Sequence, residues 1–224
     1  MIPVMIVPVL NRYDLLERMI NSIDFPIGYL LVIDNGGVCY TMHNSFVAHT
    51  SILRLPSNLG VAASWNLGIK LFPMAKFWTF SSADVVFKPN ALKNLFEGSA
   101  SDRLALAELP PHYQAFSIGD EVIDQVGLFD ESFYPIYFED NDFERRVRAK
   151  NFEVAYVPLA SEHDNSSTIN SDESLYQQNS RTFTSNGDYY NAKKSADDYS
   201  AGSWSLKRRR ENNWDYDPMK HLKA

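Results

Sequence analysis

A single cysteine, Cys39, stands among 224 residues, which excludes a disulfide within the chain and fits a reducing compartment. Nowhere do eighteen or so consecutive apolar residues occur, the length that a membrane-spanning helix needs. The opening MIPVMIVPVL has no basic leader and no small-residue cleavage site, and Pro3 and Pro8 interrupt it, so it does not read as a secretory signal. Positive charge is short as well. Twenty-one Lys and Arg face 28 Asp and Glu, a formal charge of −7, which argues against general affinity for nucleic acid. The run Lys207, Arg208, Arg209 and Arg210 is a local exception. These shortages predict a soluble, cytoplasmic chain. The 45% of hydrophobic residues and 22% of charged ones are ordinary for a globular protein, and the length allows one large core with a tail.

The first hundred residues alternate in pattern. Val4–Val9 is an apolar run of the kind a strand buried on both faces shows. From Asp14, a helix is expected with Leu15, Leu16, Met19, Ile20 and Ile23 on one side. Strands follow at Tyr29–Ile33 and Ile52–Leu55, a helix at Val61–Phe72 and a strand at Lys76–Phe80. Further on, Ala105–Leu109, Gln114–Ile118 and Glu153–Val157 read as strands, with helices at Glu121–Val126 and Asp140–Lys150. Such alternation predicts an α/β fold, a Rossmann-like, mixed but mainly parallel sheet with helices on both faces and right-handed crossovers. Ligands of such sheets lie beyond the carboxyl ends of the strands. Asn11, Asp34, Asn58 and Asp84 gather there. After about Asp164, Ser, Asn, Asp and Tyr replace the aliphatics, so residues 169–224 are expected to form a helical and looped appendage to a domain of residues 1–168.

Several of these polar residues suit particular chemistry. Asp84, closing an apolar strand, can hold a divalent cation whose other ligands are phosphate oxygens and waters, although a cap or turn aspartate is the commoner use. Glu139-Asp140-Asn141-Asp142 opens a helix. Carboxylates there favour the helix by themselves, and one that enters a cleft can act as general base. His163 alone is more often structural than a ligand. In Asn58-Leu59-Gly60-Val61, a strand gives way to a helix whose N-terminus favours a nearby phosphate, with Gly60 allowing close backbone approach.

In order and spacing, these segments resemble the family 2 glycosyltransferases, a large group of inverting enzymes of the GT-A fold. The matching elements are Val7-Pro8-Val9-Leu10-Asn11-Arg12, Val32-Ile33-Asp34-Asn35-Gly36, the run from Asn58 to Ile69, Ser82-Ala83-Asp84, Val126 to Phe133, Phe138 to Phe143, and Tyr156-Val157-Pro158 followed by His163. The likeness covers about residues 2–168 and departs where Ser82 replaces the first aspartate of the family's metal motif. It implies a nucleotide-sugar half over 1–100 and an acceptor half over 101–168. It further implies Asp140, or less so Glu139, as catalytic base, and Asp84 with His163 as ligands of Mn²⁺ or Mg²⁺. Pro8, Val9, Asn11, Asp34, Asn58, Gly60, Val61, Ser64, Trp65, Asn66, Ser82 and Ala83 would bind the donor, with a UDP-sugar favoured.

Two other classes share this pattern. A nucleotidyltransferase would show a Gly-rich basic loop after the first strand, and Asn11-Arg12-Tyr13-Asp14 is not one. A non-catalytic sugar-nucleotide-binding scaffold would not need Asp84 and Asp140, though a fold alone never proves activity. The acceptor is open: a hydroxyl of a glycan, a protein, a lipid-linked intermediate or a nucleic acid. Trp204, the basic run, Trp214 and Tyr216 mix aromatic and positive side chains, which can touch phosphate backbones or anionic surfaces. A solvated helix packing its aromatics on the domain is the more ordinary use of such a run.

Overall fold

The computed structural model describes residues 1–164 and 173–202. The expected calls on Trp204, Lys207–Arg210, Trp214 and Tyr216 lie outside them. Inside the sheet lies β1 (Ile2–Val9), parallel both to β2 (Ile27–Asp34) and to β4 (Phe77–Ser81). β2 carries β3 (Val47–Arg54) on the edge, again parallel. Near-continuous burial along β1 and β2 explains why these strands read as unbroken apolar runs. The seven-stranded order is β3-β2-β1-β4-β7-β6-β8, completed by β6 (Arg103–Ala107), β7 (Ala115–Gly119) and β8 (Glu153–Val157). Only β7 runs antiparallel to its neighbours. The expected mixed, mainly parallel sheet is therefore the one found.

Alternate residues of β1 feed two cores. Met5, Val7 and Val9 join Leu16, Met19 and Ile20 of α1 (Tyr13–Asn21) and Leu92 and Leu95 of α3 (Ala91–Gly98). Val4 and Ile6 join α2 (Val61–Leu71), α4 (Asp120–Val126) and α5 (Glu139–Ala149) through Ala62, Trp65, Ile69, Val122, Phe143 and Val147. Helices thus cover both faces, as the period-2 strand geometry requires. Two short strands, β5 (Val85–Phe87) and β9 (Ser161–His163), form a separate antiparallel pair at the sheet's carboxyl edge. Neither they nor α3 is evident in the sequence pattern. Among the described residues no helix is long and apolar enough to cross a membrane.

The segment expected to be an appendage contains a 23-residue helix, α6 (Glu173–Ser195). One of its side chains, the buried Lys193, reaches Asp130 at 2.8 Å and Asp142 at 3.0 Å. Asp142 also accepts from Arg146 Nε at 2.8 Å, and Tyr189 donates to Asp130 at 2.9 Å. Both carboxylates and the Arg146 side chain are almost wholly buried. Removing one partner of such a cluster leaves uncompensated charge in a dry place. Lys193→Met should therefore cost about 3–5 kcal/mol, a fall of roughly 10 °C in melting temperature for a domain of this size. Thermal denaturation of the two proteins checks this.

Candidate active site

Beyond the carboxyl ends of β1 and β4 lies a cavity of about 320 Å³. It is bounded by the turn after β4, the start of α2, the start of α5, and the first turns of α6. Of the residues singled out in the sequence, Pro8, Val9, Asn58, Gly60, Val61, Trp65, Ser82, Ala83, Asp84, Glu139, Asp140 and His163 line it. Asn11, Asp34, Ser64 and Asn66 are not among its lining residues.

The pairing of β5 with β9 sets Val85 opposite His163. That register brings His163 Nε2 to 3.1 Å from Asp84 Oδ1, with both side chains largely buried. Eighty residues of chain separate the two, and the small β-pair joins them. That is the distance of a direct imidazole–carboxylate contact, and it is also close to the ~3.0 Å between adjacent ligands of an octahedral ion with bonds of ~2.1 Å. Among the described residues no third His, Cys, Asp or Glu completes a metal cluster. An ion held here would need its remaining ligands from phosphate oxygens and waters, as Mg²⁺ commonly does. Arg12, which sequence reasoning passed over, also lines the cavity and pairs with Asp14 at 2.6 Å. Asp14, and more weakly Asp164 and Asp84, raise the affinity of its guanidinium for the proton.

At the other wall, α5 starts abruptly. Tyr137 and Phe138 both have left-handed backbones, with φ of 78° and 73°. For non-glycine residues each such conformation costs of order 1–3 kcal/mol and survives only where the surroundings enforce it. The two residues that follow, Glu139 and Asp140, both line the cavity, whereas Asp142 turns inward to Arg146. Burial, and then the neighbouring Asp140, push the Glu139 carboxyl well up. Its Oε2 is buried with no hydrogen-bond partner. Burial also raises Asp140, but there the Asn141 amide donates to Oδ1 at 2.8 Å and favours the charged form. Two adjacent carboxyls on one cavity wall cannot both ionise easily. Backbone amides favour the charged form of both, and the stronger upward push on the more buried Glu139 leaves the proton there and the charge on Asp140.

Four residues expected to bind the donor lie off the cavity lining. The Asp34 carboxylate is fully buried and already accepts four hydrogen bonds, from Tyr13 Oη at 2.7 Å and the amides of Gly36, Gly37 and Cys39. It shapes its own loop, with three of these bonds on Oδ1 and one on Oδ2. Ser64 Oγ donates back to the Gly60 carbonyl at 2.7 Å within the first turn of α2 and accepts from Asn35 Nδ2 at 3.0 Å. Asn66 bonds both backbone groups of Phe129, tying α2 to the 128–131 segment. Asn11 sits next to the cavity wall formed by Leu10 and Arg12 without lining it.

The approach to α2 is tied to the surrounding chain. Leu59 N–H goes to Asn35, Gly60 N–H to Asn58 and Val61 N–H to the Pro135 carbonyl, each at 2.8 Å. These three amides are engaged within the protein. Gly60 is needed there for a different approach. At φ 85° any Cβ would lie 2.8 Å from Pro135 O and from the Tyr134 ring, so the glycine lets the α2 start meet the 134–135 backbone. Tyr113, Gln114, Gln178 and Asn179 line the cavity too. Gln114 was expected to open a strand, Gln114–Ile118. It and Tyr113 lie instead in a 3₁₀ turn, His112–Gln114, that precedes β7. Nothing local marks Gln178 or Asn179, because α6 brings them in from about 30 residues beyond the end of α5.

No model of a known protein family matches the sequence, and no curated protein does. Solved structures do match in fold. A mannosyltransferase from Pyrobaculum calidifontis, in complex with GDP-Man and Mn²⁺, superposes with a TM-score of 0.54 at 13% identity, over 69% of this chain and 54% of that one. TarS of S. aureus gives 0.53 at 16% identity, over 70% and 35% of the two chains. GalNAc-T7 with UDP, GalNAc and Mn²⁺ gives 0.59 at 11% identity, over 100% and 56%. The chain spans about a third to a little over half the length of these structures. At such identities the likeness is one of fold, and the fold is the GT-A type.

A testable consequence concerns Glu139. Its folded-state affinity for a proton is raised, so the native protein binds more protons than the unfolded chain as pH rises above the ordinary carboxylate range. Stability from this group is complete below its unfolded value near 4.5 and is lost as pH climbs through the raised folded value. Glu139→Gln removes that loss. The variant should melt above the parent at pH 7, and the gap should close as the pH is lowered toward 4. Melting curves at a series of pH values decide it, and a parent more stable than the variant at neutral pH would contradict the assignment.

Proposed function

We propose that this chain is a glycosyltransferase that moves a sugar from a nucleotide-sugar, with a UDP-sugar favoured, to an acceptor hydroxyl with inversion. The observation that carries this reading is the pairing of two chemistries on one cavity: Asp84 with His163 at one wall and Glu139 with Asp140 at another. The resemblance to family 2 enzymes supports it. So do neighbours of the same fold that hold GDP-Man with Mn²⁺, or UDP and GalNAc with Mn²⁺.

In this reading Asp84 Oδ1 and His163 Nε2 hold a divalent cation, Mn²⁺ or Mg²⁺. When bound, the ion supplies neutralisation of the charge that grows on the departing nucleotide diphosphate. Arg12, beside Asp84 on the cavity wall, adds fixed positive charge for the same phosphates. The Pro8–Val9 backbone, Ser82 and Ala83 border the donor, and Val61 and Trp65 close the cavity over it. A sugar hydroxyl is a poor nucleophile at neutral pH, so its proton must leave as the new bond forms. Asp140 is the base, its charged form favoured by the Asn141 amide. Glu139, kept protonated by burial and by that charge, donates a hydrogen bond to a substrate oxygen without competing for the proton. Displacement on the face opposite the leaving diphosphate inverts the anomeric centre.

Asp140→Asn keeps size and removes the base, so turnover should fall about 10²–10⁴-fold, with donor affinity and melting temperature close to the parent's. Asp140 is raised by burial, so the parent's kcat/KM should decline on the acid side as pH falls through that raised value, where the carboxyl becomes protonated and cannot accept. Near-parental transfer by the Asn variant, in steady-state assays with UDP- and GDP-sugars, would remove Asp140 from the mechanism. For the cation, Asp84→Ala should abolish the dependence of donor binding on Mn²⁺ measured by titration calorimetry, and His163→Ala should weaken it less. Donor binding indifferent to chelator in the parent would make the site metal-free.

A further inference from the structure

We propose that Asn186 of α6 is a positioning residue for the Glu139–Asp140 pair, and that α6 is thereby part of the catalytic apparatus. This rests on the reading of Asp140 as the base. The loop from Tyr134 to Phe138 delivers both carboxylates into the cavity, and it ends in two consecutive left-handed aromatic residues. Something outside the loop must enforce that backbone. The fully buried Asn186 Nδ2 donates to three of the loop's carbonyls, Ile136 O at 3.0 Å, Tyr134 O at 3.3 Å and Tyr137 O at 3.4 Å. Around it, Phe183 packs on Tyr137 and Phe138 with ring centroids 5.4 and 5.1 Å away, and Tyr190 stacks on Phe138 at 5.8 Å. Gly187 brings the helix backbone so close that an added Cβ would sit 3.2 Å from the Phe138 ring. One turn further on, Lys193 holds Asp142, the third carboxylate of the same segment.

Phe183, Asn186, Gly187, Tyr190 and Lys193 are spaced i, i+3, i+4, i+7 and i+10, which puts them on one stripe of the helix. That stripe meets the loop and the first turn of α5 along their length. A side chain that fixes the carbonyls leading into a strained turn sets where the next two residues point. A misplacement of about 1 Å at a reacting group can cost on the order of 100-fold in rate. Asn186 touches no substrate in this arrangement and acts through the loop.

The test compares the parent with Asn186→Leu, which keeps the volume and removes the amide donors, and with Phe183→Leu, at a half-exposed ring. Hydrogen exchange is followed by mass spectrometry with and without Mn²⁺ and UDP. Transfer or hydrolysis is followed with UDP-glucose, UDP-galactose and GDP-mannose. In Asn186→Leu, amides of residues 134–142 should exchange faster while those of β1, β2 and β4 keep the parental rate. Its kcat should fall about 10–100-fold, with the donor KM within about twofold of the parent's. Phe183→Leu should move the same segment and the same rate constant by less. Parental exchange across 134–142, or a kcat that does not fall, overturns the proposal. A KM that rises in step with a chain-wide gain in exchange overturns it too, since that is general loosening. If the parent turns over none of the three donors, the transferase reading fails, and the exchange data alone then decide whether Asn186 holds the loop.

Discussion

Asp142 is wholly buried on the first turn of α5, and its carboxylate is held from two directions, by Arg146 one turn along its own helix and by Lys193 from α6. Lys193 ties in Asp130 at the same time. Four charged side chains thus meet in a dry place, where each depends on the others. Such clusters contribute less to net stability than their contacts suggest, because desolvation offsets most of the attraction. Their use is directional. With Asp142 fixed, α5 can start at only one rotational setting, and in that setting residues 139 and 140 face the cavity. The link also makes α6 inseparable from the sheet domain, although its own sequence is polar.

The cavity's place follows from strand direction. Parallel strands end on the same side of the sheet, so the turns after β1, β2 and β4 crowd together there. β7, running the other way, begins at that edge, and the 3₁₀ turn before it sets Tyr113 and Gln114 into the wall. The small β5–β9 pair lies on the same edge and adds His163. One geometric fact about the sheet therefore assembles residues from eight separate parts of the chain.

The sheet and its helices were legible in the sequence because they rest on period and composition. β1, β2, α2 and α5 lie within a few residues of where their apolar patterns put them. β5 and β9 were not, since three-residue strands carry no period. Asp84, His163, Glu139 and Asp140 were found through their order along the chain, and they do share one cavity. Asp34 looked equally chemical, a carboxylate at a strand end. Its loop places three amides around it and α1 adds the Tyr13 hydroxyl, and no local pattern distinguishes a carboxylate held this way from one open to a ligand. Gly60 was read as making room for phosphate, when the backbone that approaches is the protein's own at Pro135. The contribution of α6 was hidden for a different reason. Its contacts with the 134–138 loop are carbonyls and ring faces, which leave no mark on the loop's sequence.

Within six residues the chain passes from two left-handed aromatics, through a buried carboxyl oxygen with no partner, to a carboxylate in a four-member ionic cluster. The first two features are unfavourable in a folded protein and the third resists rearrangement. Their adjacency is what lets the unfavourable ones persist. A strained backbone relaxes through its nearest free segment, and here neither side is free, with Asn186 gripping the carbonyls before Phe138 and Lys193 and Arg146 gripping the side chain after Asp140. Relaxing the turn would mean breaking a buried ion pair or stranding buried carbonyls, each costing at least as much as the strain itself. The carboxyls at 139 and 140 are therefore presented to the cavity by a segment clamped at both ends. That is the physical requirement for a group whose reactivity depends on where it points.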